Sequence, residues 1–187
     1  MGLKVITPPV NPVTLAEARL QCRVDDTADD SLISGLIMAA QEYCQHYTQR
    51  AIGSQTLELA LDEFPDGPIE LPYSPATSIV SVKYAGLDSI ETTMGINEYV
   101  LDDYTYTSWL IRVYGSEWPI PLAAANAVKV RYVAGAATVP SAVHAAMLLT
   151  IAHLYENRIA VEHVRGTMLE LPLGVKALLD TNRVWSL

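Results

Sequence analysis

The hydrophobic period of this chain changes twice along its length, and those two changes constrain the fold more than any motif. Up to about residue 50 the apolar residues recur every three or four positions; from Gly53 they alternate with period two; at Val139-Pro140 the helical period returns. Helix, helix, strands, helix, helix is not the alternation of a parallel βαβ protein. The pattern predicts an α+β fold, a small helical bundle contributed by both chain ends with an antiparallel β lobe inserted between them. The segments expected are residues 1–52, 53–137 and 138–187, forming one compact domain overall.

The helical segments carry their own boundary signals. In "TLAEARLQCRV" Thr14 precedes Glu17 by three residues, the capping-box spacing in which each side chain satisfies an orphan N–H of the first turn. A helix from about Leu15 to Val24 follows. "TADDSLISGLIMAAQEYCQHYTQR" offers the same spacing at Thr27 and Asp30, then Leu32, Leu36, Ala40, Tyr43 and Tyr47 along one stripe. Val143, Met147, Ile151, Leu154 and Tyr155 form a second stripe that Leu148, Leu149 and Ala152 widen. A helix apolar on most sides belongs at the centre of a bundle. A last short helix is expected from about Leu173 to Asp180.

Between them, Leu57, Leu59 and Leu61 alternate with polar or small residues, and similar alternation marks Val80, Val82 and Tyr84, the Tyr99–Leu101 region, Trp109, Ile111 and Val113, and Val128, Val130 and Tyr132. Glycines and prolines punctuate these runs at spacings too short for helical crossovers. About five or six antiparallel strands are expected. Residues 1–13, rich in proline, read as a leader.

Charge narrows the function. The chain holds 12 basic and 21 acidic residues, a net charge of −9, so it would repel nucleic-acid phosphates rather than grip them. Such a surface still permits DNA to pass without sticking. No apolar stretch reaches bilayer length, no signal peptide opens the chain, and the two cysteines, Cys22 and Cys44, lack metal or redox spacing, so a chain made in a cytoplasm with no membrane contact is expected.

No catalytic constellation emerges. Asp25, Asp26, Asp29 and Asp30 lack the glycine and distal glutamate of a calcium loop and suit helix capping. His153 and Glu156 have the spacing of one helical metal motif, but a carboxylate-bridged bundle needs two such copies. His144 precedes His153 by nine residues, which puts the two on opposite helix faces. Phosphate-binding glycine loops and the nucleophile-elbow signature are absent. No cofactor, metal or catalytic residue is assigned. A small hydrolase built around His153 and Glu156 without a sequence signature stays open as an alternative of another class.

Several stretches, taken in order, carry a resemblance: "PVTLAEARLQCRVDDTADDSLISGLIMAAQEYCQHYTQRAI", "IELPYSPATSIVSVKY", "INEYVLDD", "GSEWP", "VKVRYVAGAATVPSAVHAAMLLTIAHLYENR" and "ELPLGVKALLDTNRVWSL". The chain resembles the head-to-tail connector, or adaptor, proteins of tailed bacteriophages and prophages, in the branch with a β-containing middle. That resemblance implies a non-enzymatic virion protein of the neck, made in the host cytoplasm. It would form a homo-oligomeric ring of about a dozen copies between the portal at the capsid vertex and the tail or neck proteins. DNA would pass through the ring without specific binding. A tail-completion or minor neck protein that contacts the tail is the alternative within the same architecture.

The chain's end bears on the partner. "NRVWSL" places Val184, Trp185 and Leu187 after a short helix that can bury only one stripe. A Trp left in water forgoes roughly a few kcal/mol, so a cover is expected, either a partner's surface or the subunit's own core. The resemblance implies portal docking through Leu178, Leu179, Arg183, Val184, Trp185 and Leu187. It also implies a mobile assembly segment around Val161, Arg165, Gly166 and Met168. Deleting residues 182–187 is expected to leave a folded subunit that no longer attaches to the portal.

Overall fold

The computed structural model describes residues 1–136, 138–157 and 173–184. The chain divides into two compact units, one of Met1–Val10 with Gly53–Ala137 and one of Asn11–Ile52 with Thr138–Leu187. Residues 1–10 thus group with the β lobe and not with the helices. The reason is a strand the sequence reading did not identify: β1 (Gly2–Thr7) pairs antiparallel with β2 (Gln55–Leu61), setting Leu3 opposite Leu59 and Val5 opposite Leu57.

The other strands are β3 (Ile69–Leu71), β4 (Ala76–Ala85), β5 (Glu91–Thr93), β6 (Tyr99–Asp102), β7 (Ser108–Arg112) and β8 (Val128–Ala134). All pairings are antiparallel, in a five-stranded sheet of order β1-β2-β8-β4-β5 and a three-stranded sheet of order β3-β7-β6. The period of two does the sorting. Leu57, Leu59, Val82, Val128, Val130 and Tyr132 are buried from the larger sheet, and Ile69, Leu71, Tyr99 and Leu110 from the smaller. Each such side chain contributes about 1.5–3 kcal/mol over leaving it exposed. The Tyr132 hydroxyl donates to the Pro72 carbonyl at 2.7 Å, so its polar end is satisfied inside the core. Gly135, at φ +90°, lies against the Gly53 carbonyl so closely that an added Cβ would come within 2.0 Å of that oxygen. Only glycine fits there.

Two alternations run differently from the sequence expectation. In β7 the residues turned into the core are Ser108 and Leu110, while Trp109 and Ile111 stay half-buried on the opposite face. In β4 the pairing with β8 skips a residue between Ile79 and Ser81, a bulge that turns Val80 out to solvent while Val82 is buried.

The helical unit comprises α1 (Leu15–Cys22), α2 (Asp30–Thr48), α3 (Ser141–Glu156) and α4 (Leu173–Asp180). α3 touches all three of the others and buries Val143, Ala146, Met147, Thr150 and Ile151 against Ala18 of α1, Ile33, Ile37, Ala40 and Cys44 of α2, and Val175 and Leu179 of α4. Both halves of the capping box at Thr14 and Glu17 are present. α1 stops two residues before Val24, because Arg23 turns left-handed at φ +57° and its N–H reaches back to the Arg19 and Leu20 carbonyls. The second capping box does not form. α2 is capped at Asp29 without a side-chain bond, since Asp30 is held by the Arg19 guanidinium and Asp29 accepts from the Tyr155 hydroxyl. Tertiary partners outcompete the local bond. Among the described residues no helix is long and apolar enough to cross a membrane.

Candidate docking site

The residues singled out for docking begin on α4, a helix of eight residues whose buried stripe, Val175 and Leu179, is spent on its own unit. Leu179 is therefore a core residue, and Leu178 packs half-buried beside it. After the helix, the Asn182 N–H bonds the Leu179 carbonyl at 2.9 Å and the Thr181 hydroxyl the Leu178 carbonyl at 2.8 Å. Both satisfy carbonyls that the helix end leaves orphaned.

The chain then lies against the carboxy-terminal end of α2. The Tyr47 hydroxyl donates to Asp180 at 2.8 Å, the Arg183 guanidinium sits 5.0 Å from the centre of the Tyr47 ring, and the Val184 N–H bonds the Thr48 carbonyl at 3.0 Å. Tyr43 stacks on Tyr47 one turn earlier, at 6.1 Å between ring centres. Donating to Asp180 raises the Tyr47 hydroxyl above its ordinary value, because the phenolate would lose that bond and face the carboxylate. The segment through Val184 is thus fastened by three contacts to one turn of α2, and Trp185 follows it directly in sequence. Of the residues that fasten it, the sequence places Tyr47 on a helix stripe and singles out Thr48 not at all. The spacing of Tyr43 and Tyr47 at i and i+4 was the available signal.

Trp185 and Leu187 lie outside the described residues, as do Val161, Arg165, Gly166 and Met168.

His144 and His153 have different neighbours, while Glu156 ends the same helix three residues after His153. His144 faces Glu17 of α1, with Nε2 3.5 Å from a carboxylate oxygen, whereas His153 has its Nδ1 beside the Asn157 amide at 3.3 Å. Of the acidic cluster, Asp29 and Asp30 are taken up as described and Asp26 accepts from the Ala28 N–H at 3.0 Å. No group of three His, Cys, Asp or Glu side chains among the described residues could hold a metal ion. Cys44 is buried in the helical core, and loss of solvent pushes its thiol up to about 12, so it stays protonated and unreactive.

Residues 12–108 match the family described as phage gp6-like head-tail connector proteins. The chain belongs to this family. The connector's fold is also that of chains in three solved structures, each 22% identical, with 100% of this chain and 97% of the other covered. They come from the virion of a native gene transfer agent (GTA) particle, at a TM-score of 0.81, the neck of an empty GTA particle computed with C6 symmetry, at 0.80, and the neck of a native GTA particle computed with C12 symmetry, at 0.77. Among curated proteins no match was found.

Proposed function

We propose that this connector is a structural, non-enzymatic component of a virion neck, assembling as a ring of about a dozen copies that joins the portal to the tail and surrounds the path of DNA. The observation that carries the reading is the likeness of the whole chain, 100% covered, to a chain from a neck computed with C12 symmetry. Membership of the connector family points the same way. A ring needs two different patches on each subunit, related by a rotation that closes.

The portal-facing element in this reading is the carboxy-terminal segment. Leu179 and the contacts of Asp180, Arg183 and Val184 with Tyr47 and Thr48 hold its base on the subunit. That leaves Trp185 and Leu187 as the apolar anchors for the portal. The test is electron microscopy of the purified connector mixed with its portal, for the full chain and for a chain ending at Val184. The full chain is expected to give portal-bound rings, and the shortened chain to keep its fold by circular dichroism while losing portal attachment. A shortened chain that unfolds assigns Trp185 to the subunit's own core and refutes the docking role.

A further inference from the structure

The five-stranded sheet ends in two edges of different character, and each carries apolar side chains that its own unit does not cover. At one edge β1 has a strand neighbour only in β2, so one row of its backbone groups faces away from the sheet. Leu3 and Val5 share the face on which Leu57 and Leu59 are buried, because Leu3 lies opposite Leu59 and Val5 opposite Leu57, and Met1 comes just before the strand. Yet Met1, Leu3 and Val5 remain 76, 38 and 50% exposed. Cover on that face stops at β2.

At the other edge, β5 and its flanking turns present Leu87, Ile90 and Ile96, exposed by 73, 62 and 74%. Charge distinguishes the edges further. Residues 1–7 contain Lys4 and no acid, while residues 86–98 contain Asp88, Glu91 and Glu98 and no base. Glu91 is engaged by Lys83 and Lys129 within the sheet, which leaves Asp88 and Glu98 to give this edge its sign.

A regular apolar edge strand invites pairing with another chain, and natural proteins break or cover such edges. The stretch of β4 that β5 leaves open is broken by two register shifts, at Ala76/Ser78 and Ile79/Ser81. β1 is regular from Gly2 to Val5 and has a single register shift, between Val5 and Thr7. With five antiparallel strands, β1 and β5 run in the same direction. Copies related by a small rotation therefore bring β5 of one alongside β1 of the next in parallel, without inverting either.

We propose that the β1 edge of one copy packs against the β5 edge of a second copy of this chain, so that the five-stranded sheet supplies both halves of the head-to-tail contact in the ring. This rests on the ring reading above. The apolar rows Met1, Leu3, Val5 and Leu87, Ile90, Ile96 would cover each other, and Lys4 would meet Asp88 and Glu98.

Cysteine pairing tests it. In a Cys22→Ser chain, Leu3→Cys or Val5→Cys is combined with Ile90→Cys or Thr92→Cys, four pairings in all, and portal-bound rings are oxidised and run on a non-reducing gel. At least one pairing is expected to give a ladder of covalent multimers, and the single-cysteine chains none. In parallel, Val5→Lys and Ile90→Lys are each expected to lower ring yield at least tenfold. Rings that form from the unaltered chain while all four pairings stay monomeric, or while both lysine variants assemble at full yield, overturn the edge contact and leave the ring reading standing. Absence of rings from the unaltered chain with its portal overturns both.

Discussion

Glu91 shows how single charges work on the surface of the β unit. Its carboxylate accepts from Lys129 at 2.7 Å and from Lys83 at 2.9 Å, and those two bonds pull its pKa down to about 2. A carboxyl lowered on folding stabilises the folded chain above its ordinary value of 4.5, and that contribution fades as pH falls toward about 2. All three side chains are more than a third exposed, so screening limits the gain to below about 1 kcal/mol. Glu91→Gln should therefore lower the urea midpoint slightly at pH 7 and leave it indistinguishable from the unaltered chain at pH 2. An equal difference at both pH values would show that packing, and not charge, is responsible.

At the scale of elements, local and tertiary bonds compete for the same side chains, and the outcome decides what a sequence reveals. The spacing of Thr14 and Glu17 marked the start of α1, and there the reciprocal cap forms. The identical spacing at Thr27 and Asp30 falls within two residues of the start of α2 but forms no reciprocal cap, because Asp30 is held by Arg19 eleven positions away. Thr14→Ala should cost about 1 kcal/mol in denaturant unfolding, whereas Thr27→Ala should fall within about 0.5 kcal/mol of the unaltered chain. Equal costs would mean that Thr27 caps α2 in solution.

The same competition explains where the strands were misread. β1 was hidden behind the prolines that follow it, although Leu3, Lys4 and Val5 already alternate, since a strand at the start of a chain declares itself only through the partner it meets some fifty residues later. The bulge at Val80 and the inward turn of Leu110 depend on pairing register, which alternation alone does not set. All four helices are legible in the sequence, the last running from Leu173 to Asp180 as expected, while the end of α1 and the cap of α2 each differ by two residues. Of the carboxy-terminal segment, the composition is legible in the sequence but not its attachment to Tyr47 and Thr48, which needs α2 and α4 brought side by side.

For the whole molecule, a net charge of −9 hides a local concentration of the opposite sign. Lys4, Glu58 and Arg131 lie directly across from one another on β1, β2 and β8, and Lys129 lies across from Lys83 on β4, so four cations share the outer face of the five-stranded sheet. Two carboxylates interrupt them, Glu58 bonded to Arg131 and Glu91 to both lysines. Left alone, four cations on one face would hold phosphates, and each neutralised phosphate adds to a salt-dependent grip that a passing DNA would have to break. The interleaved glutamates offset two of those four charges, which would weaken such a grip in the ring proposed above. The unaltered chain should show no binding to a short DNA duplex by fluorescence anisotropy at physiological salt. Glu58→Gln combined with Glu91→Gln should bind it measurably, with affinity falling on a log–log salt slope of about −2 to −4, as expected for two to four neutralised phosphates. Binding of that strength by the unaltered chain would contradict the expectation that DNA passes through the ring without specific binding, because a subunit that holds duplex on its own would retain it.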